Sequence, residues 1–510
     1  MNFAVKRAVI NCARNSKAPK KFWRAGSGVR WISTERQWST PLAKTIANAI
    51  EHQALKKKIF AHHFLSQATG PISIAAFMRQ CLTSPDGGYY TSQTAGRDQF
   101  GQKGDFITSP EISQVFGELL GIWFVAEWMA QGRRSSGIEL IEVGPGRGTL
   151  MDDMLRVGTV CNFKTLASSL EAVYLVEASP ALRETQKQLL CGDNLIDQID
   201  IGFKSKSKYF DLPVIWTEHI GLVPPGQDKS PFIFAHEFFD ALPINAFQSV
   251  APTQTQDSPS IITTPTGPIK LNTNNNKNTI LPAATPQWRE LLVFPAPPLT
   301  TPSSTEFQLS LAKASNPNSL LLPELSPRYR ALKSHPGSTI EICPEGLSHA
   351  EQFAQCIGGS TKPGCFTKPK PSGAALILDY GPLTTIPVNS LRGIRHHKRV
   401  SPLSAPGQVD LSADVDFTAL AEAALNASPG VEVHGPVEQG FFLGSLGIEE
   451  RARQLLEGVT DEEKKVRLES GWKRLVERGG GGMGRIYKAM AILPEGGGRR
   501  RPVGFGGGVV

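Results

Sequence analysis

An acid closes an apolar run and three glycines follow it at alternate positions in "IELIEVGPGRGTL", Ile138–Leu150. The run to Val143 reads as a strand, and Gly144, Pro145, Gly146, Arg147 and Gly148 as the turn that leaves it. In open α/β sheets, ligands sit beyond the carboxyl ends of the strands, where such a turn lies. Glycine there reaches backbone angles closed to other residues and lets a ligand lie against the main chain. A phosphate-binding loop needs Lys and then Ser or Thr after its last glycine. Here Thr149 and Leu150 follow, with no lysine. A dinucleotide fingerprint runs Gly-x-Gly-x-x-Gly, whereas this turn runs Gly-x-Gly-x-Gly and opens with Glu142. That acid repels a pyrophosphate and attracts a cation. A nucleoside bearing a sulfonium and an α-amino group fits, so S-adenosylmethionine (SAM) is the expected cofactor.

The next apolar run, in "VYLVEASPAL", ends on Glu177. An acid at that place accepts hydrogen bonds from ribose hydroxyls in nucleoside sites. The alternative is that Glu177 caps the helix beginning near Pro180.

These residues need a sheet to hold them. From Ile138 onward, strands are expected at Glu139–Val143, Ala172–Val176, Val214–Trp216, Phe232–Ala235 and Ala374–Leu378, with helices between them such as Pro180–Leu190. That alternation predicts an α/β fold with a mostly parallel, Rossmann-like sheet over 136–492. A helical section, 40–135, precedes it. Thr40–Met78 reads helical; Ser109, Pro110 and Glu111 then open a helix whose Ile112, Val115, Phe116, Leu119, Leu120 and Trp123 share one face. Two stretches, 251–277 and 296–327, are rich in Thr, Pro, Asn and Ser. They read as disordered insertions, with "QWRELLV" between them as a strand. "MGRIYKAMAI" reads as a closing strand, and 493–510 as a disordered glycine-rich tail.

The formal net charge is +8. Met1–Thr34 holds Lys6, Arg7, Arg14, Lys17, Lys20, Lys21, Arg24 and Arg30 and no acid, the composition of a mitochondrial transit peptide. Residues 1–39 are therefore expected to be a leader; a basic disordered arm is the alternative. Downstream of that leader no basic stretch alternates with aromatics as a nucleic-acid platform would. The seven cysteines form no CxxC pair, so no metal site is expected and free thiols suit a reducing compartment. The longest apolar run, Ile112–Ala130, carries Glu118 and Glu127, so no transmembrane segment is expected.

Further segments occur in a fixed order: "GDFITSPEISQVFGELLG", the glycine turn, "YLVEASPALRETQ", "FAHEFFDALPINAFQ", "ALILDYG", "LRGIRHHK", "PGQVDLSADVDFTAL", "GPVEQGFFLGSLGI" and "MGRIYKAMAI". Together, over roughly Gln53 to Ile492, they resemble the MidA-like family of mitochondrial methyltransferases, the complex I assembly factor 7 type. The resemblance implies a class I SAM-dependent methyltransferase of the mitochondrial matrix. It further implies dimethylation of an arginine in a core subunit of complex I, in support of assembly. It also places Asp105 and Thr108 of "GDFITS" at the cofactor pocket. The long insertions and the glycine-rich end depart from the family pattern.

A guanidinium keeps its proton in water, so an arginine methyltransferase must hold it with carboxylates. The candidates lie at strand ends above the glycine turn. Glu237 and Asp240 of "HEFFDALP" follow the strand Phe232–Ala235, with Asp240 as a turn cap the alternative. Asp414 can pair with Asp410, while Asp416 is expected mainly to cap the helix Phe417–Leu425. His396 or His397 of "RHHKR" could relay a proton, but a contact with an acidic partner is the stronger expectation. The rival functions are a non-catalytic assembly chaperone that keeps the SAM fold, and an oxidoreductase, which the glycine spacing disfavours.

Overall fold

The computed structural model describes residues 36–59, 70–91, 101, 104–156, 164–209, 211–252, 261–264, 267–270, 285–297, 305–362 and 364–506. The proposed leader, up to residue 35, lies outside them.

Along the chain, α1 (Pro41–Ile59), β1 (Ile72–Ser73), α2 (Ile74–Thr83), α3 (Ser109–Ile112) and α4 (Gln114–Ala130) come first. There follow β2 (Ile138–Val143), α5 (Thr149–Arg156), α6 (Lys164–Ser169), β3 (Leu170–Val176) and α7 (Pro180–Cys191). Next are β4 (Asp197–Ile199), β5 (Gly202–Lys206), β6 (Pro213–Thr217), β7 (Ser230–His236), β8 (Asn245–Val250), β9 (Ile261–Thr264) and β10 (Gly267–Lys270). Then come β11 (Gln287–Pro295), β12 (Phe307–Leu311), α8 (Pro317–Leu321), α9 (Pro327–Leu332), β13 (Thr339–Ile342), α10 (Pro344–Gly358) and β14 (Ala374–Tyr380). The last are β15 (Arg392–Arg395), β16 (Lys398–Val400), β17 (Asp410–Ser412), α11 (Phe417–Ala427), β18 (Val431–Glu438), α12 (Gln439–Ser445), α13 (Ile448–Glu457), α14 (Glu462–Val476) and β19 (Tyr487–Pro494).

The main sheet has nine strands in the order β18-β19-β14-β7-β2-β3-β6-β5-β4. Its centre, β14-β7-β2-β3-β6, is parallel throughout. β18 and β19 close one edge antiparallel, and β5 and β4 the other. Strand order runs outward from β2 both ways, so the switch point lies at the carboxyl end of β2, where the glycine turn leaves. β2 is buried along its whole length, as a strand covered on both faces must be. Leu140 packs with α4, α5 and α12–α14 on one face. Ile141 and Val143 pack with Phe353 of α10 and Leu420 of α11 on the other.

A second sheet, β1-β11-β8-β13 with β12 on β11, is antiparallel. Leu42, Ile46 and Ile50 of α1 and Phe77 and Met78 of α2 cover it, together with Leu411 of β17. A third, β16-β15-β17, reaches over the mouth of the main sheet.

The expected strands and the helix from Pro180 are present within a few residues. Four domain expectations need correction. Residues 40–135 are not a section of their own: α1 and α2 cover the second sheet, whereas α4 is core of the main one. The stretch 296–327 contains β12 and α8, because Phe307 is fully buried against Phe77. Parts of 251–277 lie outside the described residues, yet β9 and β10 within it pair as a hairpin. The tail is also ordered as far as it is described. Arg500 bonds the fully buried Glu127 of α4 at 2.9 Å, and Phe505 packs 5.5 Å from Phe442. Seen alone, that glycine-rich stretch hides these anchors, because their partners lie elsewhere in the chain.

Candidate active site

A cleft of about 1340 Å³ opens at the carboxyl ends of β2, β3, β7 and β14. Among its lining are Asp105, Thr108, Glu142, Gly144, Pro145, Gly146, Glu177, Glu237, Asp240 and Asp414. Gly148 stands one step behind them, at the start of α5.

The glycine turn bends because all three glycines have positive φ: 69° at Gly144, 53° at Gly146 and 84° at Gly148. A methyl group on Gly144 would lie 2.7 Å from the Phe238 ring. Gln186 of α7, buried completely, holds the turn from beneath. Its amide donates to the Gly146 carbonyl at 2.7 Å and to Glu177 at 3.1 Å, and it accepts from the Trp216 indole at 3.0 Å. Gln186 had no expected role; a polar residue on the buried face of an amphipathic helix is the signal that marks it.

Glu142 is buried, and its Oε2 has no hydrogen-bond partner among the described residues. Burial pushes its carboxyl up to about 8, against the pull of the Met151 backbone N–H. A buried oxygen with no donor fits a ligand that brings its own cationic donor, as the α-amino group of SAM does. Glu177 accepts from the Ser179 N–H at 2.7 Å and faces the same cleft, its carboxyl raised by burial. Ser179, not Glu177, caps α7, with its hydroxyl accepting from Leu182. The residues thus suit SAM: a turn open to the main chain, an unsatisfied acid and a second acid one strand away.

Asp105 is a latch. Its carboxylate accepts from the Tyr89 hydroxyl at 2.9 Å and from the His396 N–H at 2.8 Å, so it ties the β15–β16 hairpin to the cleft wall. Thr108 precedes α3, where the Glu111 side chain accepts from its N–H at 3.1 Å. The cap of α3 is therefore Thr108 rather than Ser109. His396 and His397 form the tip of the hairpin, both with positive φ.

The other half of the cleft is acidic and aromatic. Glu237 has φ 49°, an uncommon angle for a residue with a side chain and one that clusters at functional sites. Two anchors hold it there. Its N–H donates to the Leu378 carbonyl at 3.0 Å. Next to it, Asp379 Oδ2 accepts the N–H groups of Phe238, Phe239 and Asp240 at 3.2, 2.9 and 3.3 Å. Burial, then Asp240, pushes the Glu237 carboxyl up to about 8, while the Ser109 N–H donates to it at 3.3 Å. His236, 3.3 Å away, is driven down to about 3 by burial and stays neutral. Asp240 is buried and bonds the Tyr380 hydroxyl; burial raises it. Asp410 accepts from the Tyr90 hydroxyl at 2.9 Å and is raised to about 7 by burial and by Asp240.

Asp414 is already engaged. Arg392 bonds it at 2.5 Å and lies over the Tyr380 ring, 4.3 Å from its centroid. Asp416 caps α11 through Ala419 and also binds Arg328 and the Tyr329 hydroxyl. Asp379, Tyr380 and Arg392 stand in quoted motifs but had no role assigned; only the folded chain brings them to Asp240.

Residues 119–437 match the model of a family described as S-adenosyl-L-methionine-dependent methyltransferases. The mitochondrial protein arginine methyltransferase NDUFAF7 of Xenopus tropicalis is 34% identical over 85% of this chain and 84% of its own. The human protein of the same name is 34% identical over 84% and 81%.

The chain belongs to this family of SAM-dependent methyltransferases.

Its fold is shared with a protein from Burkholderia thailandensis bound to S-adenosyl-homocysteine, at 18% identity, TM-score 0.57, and coverage of 93% of this chain and 97% of that one. The expected class I fold and its cofactor, SAM, stand. The NDUFAF7 relatives are named mitochondrial. No described helix is long and apolar enough to cross a membrane, and no described cluster of His, Cys, Asp and Glu could hold a metal.

Proposed function

We propose that this methyltransferase acts on an arginine of a protein, a core subunit of respiratory complex I, in the mitochondrial matrix. The observation that carries the arginine reading is the set of carboxyl groups, Asp240 and Asp410 buried and Glu237 with its side chain 10% exposed, in the same cleft as the glycine turn. Buried acids without cations are costly, and a guanidinium is the side chain that can meet several at once. The relatives named protein arginine methyltransferase support it. The subunit and the matrix rest on the family resemblance and on the basic, acid-free Met1–Thr34.

When bound, SAM supplies an electrophilic methyl group on a sulfonium. Glu142, Glu177 and the glycine turn hold the cofactor. Glu237 and Asp240 orient one guanidinium nitrogen at the methyl carbon and offset its charge. As the N–C bond forms and the methyl–sulfur bond breaks, one N–H proton must leave, and Glu237, ionised by the guanidinium beside it, is placed to accept it. Asp379 fixes both acids by holding the turn between them. A non-catalytic chaperone would have no use for an unsatisfied Glu142 or a strained Glu237.

The test is mass spectrometry of complex I from cells lacking this protein. One arginine is expected to lose its methyl groups, and restoring the wild-type chain should return them. An unchanged set of methylated arginines would sink the proposed substrate.

A further inference from the structure

Outside the acids of the floor, the acceptor end of the cleft is rimmed by cations. Arg399 of β16, Arg474 of α14 and Arg485 just before β19 all line it and are exposed. None of them makes an ion pair with any described residue. Three acids that line the same cleft are already paired, Glu438 with Arg478, Asp414 with Arg392 and Glu345 with Arg79, while the exposed Glu218 follows β6. The rim is held in place. Met483 donates to the Arg474 carbonyl at 2.8 Å, Gly381 to the Ile486 carbonyl at 3.3 Å, and the His397 N–H to the Asp105 carbonyl at 2.9 Å.

An arginine approaching alone must pass this positive rim to reach the negative floor. Charge complementarity across an interface steers encounter and fixes register. We infer that the acceptor segment carries acidic residues on both sides of its target arginine, so that Arg399, Arg474 and Arg485 take the flanking carboxylates while Glu237 and Asp240 take the guanidinium. This inference rests on the arginine reading above. A nucleic acid would suit the rim, but its phosphates would meet the buried acids beneath.

The experiment uses the full chain with S-adenosyl-homocysteine and three fluorescent peptides with one central arginine, flanked by Glu, by Gln or by Lys. Anisotropy reads binding, and labelled SAM reads methyl transfer. The Glu-flanked peptide should bind about tenfold tighter than the Gln-flanked one, since each exposed charge pair contributes modestly. The gap should shrink as salt rises. In the double variant Arg474→Glu/Arg485→Glu the order should invert in favour of Lys flanks, with SAM affinity reporting that the fold is intact. Equal binding of the Glu and Gln peptides to the wild type would overturn the inference. So would an unchanged order in the double variant, or displacement of the Glu peptide by polyuridylate. Acid-dependent binding without methyl transfer to any peptide would keep the rim and contradict the arginine reading.

Discussion

The two halves of the cleft are built in different ways. The half proposed for the cofactor comes mainly from one short span, Glu142 to Gln186, and rests on strand ends and main chain. The half proposed for the acceptor gathers Tyr90, Glu237, Asp240, Asp379, Arg392 and Asp410 from both ends of the chain and from two sheets. One half is local and the other depends on tertiary structure. A nucleoside cofactor can be held by a single βαβ unit, whereas a protein side chain needs a wall on every side.

The halves touch where Gly144 meets Phe238, the residue after Glu237, and where the Ser179 hydroxyl donates to the Tyr90 carbonyl at 3.2 Å. The strongest way to break both at once is therefore Gly144→Val. The side chain would clash with the Phe238 ring and take a left-handed backbone that costs about 1–2 kcal/mol before any clash. SAM affinity should fall at least about a hundredfold by calorimetry, with turnover lost alongside. SAM binding within about threefold of wild type would mean that the two turns are not packed as described.

Asp379→Asn should separate the halves. Asparagine keeps the shape but weakens three N–H···O bonds to the turn that carries Glu237 and Asp240. Turnover should drop about tenfold while SAM affinity stays within about twofold. A variant that loses SAM binding and keeps its turnover at saturating cofactor would assign Asp379 to the wrong half.

This division also explains what the sequence made legible. The parallel strands and the glycine turn follow from local pattern, because apolar run, acid and glycines are adjacent. One rule, an acid at the carboxyl end of a strand, singles out Glu142, Glu177 and Glu237, and all three line the cleft. The same rule applies to Asp379, at the end of β14, but its partners are backbone groups that only the fold supplies. Tyr90 meets Asp410 across 320 positions, and no local spacing predicts that. The misread stretch 296–327 and the tail fail for the same reason. The aromatic anchors of these stretches, Phe307 and Phe505, are buried by distant elements and not by their neighbours.

A smaller effect concerns pH. Glu142 and Glu237 are held up to about 8 in the folded chain, against about 4.3 for an unfolded glutamate. Between those values the folded state binds more protons, so stability of the cofactor-free protein falls as pH rises towards 8. A cation beside Glu142 favours its ionised form, so SAM binding should release a proton below pH 8. Affinity should then rise with pH by at most about tenfold per unit. Calorimetry in buffers of different ionisation enthalpy reads the proton directly. In Glu142→Gln this release should be smaller by the share that Glu142 contributes; release equal to wild type would place the cation elsewhere.

The most direct test of the divided cleft is Glu237→Gln, assayed with deuterium-labelled SAM and the complex I subunit, with SAM affinity measured in parallel. Replacing the carboxylate removes a charge-assisted contact of about 1.5–3 kcal/mol. Labelled methyl should appear on an arginine nitrogen with the wild type and fall about ten- to a hundredfold with the variant, at unchanged SAM affinity. Transfer at the wild-type rate, or loss of SAM binding, would contradict the assignment of Glu237 to the acceptor half.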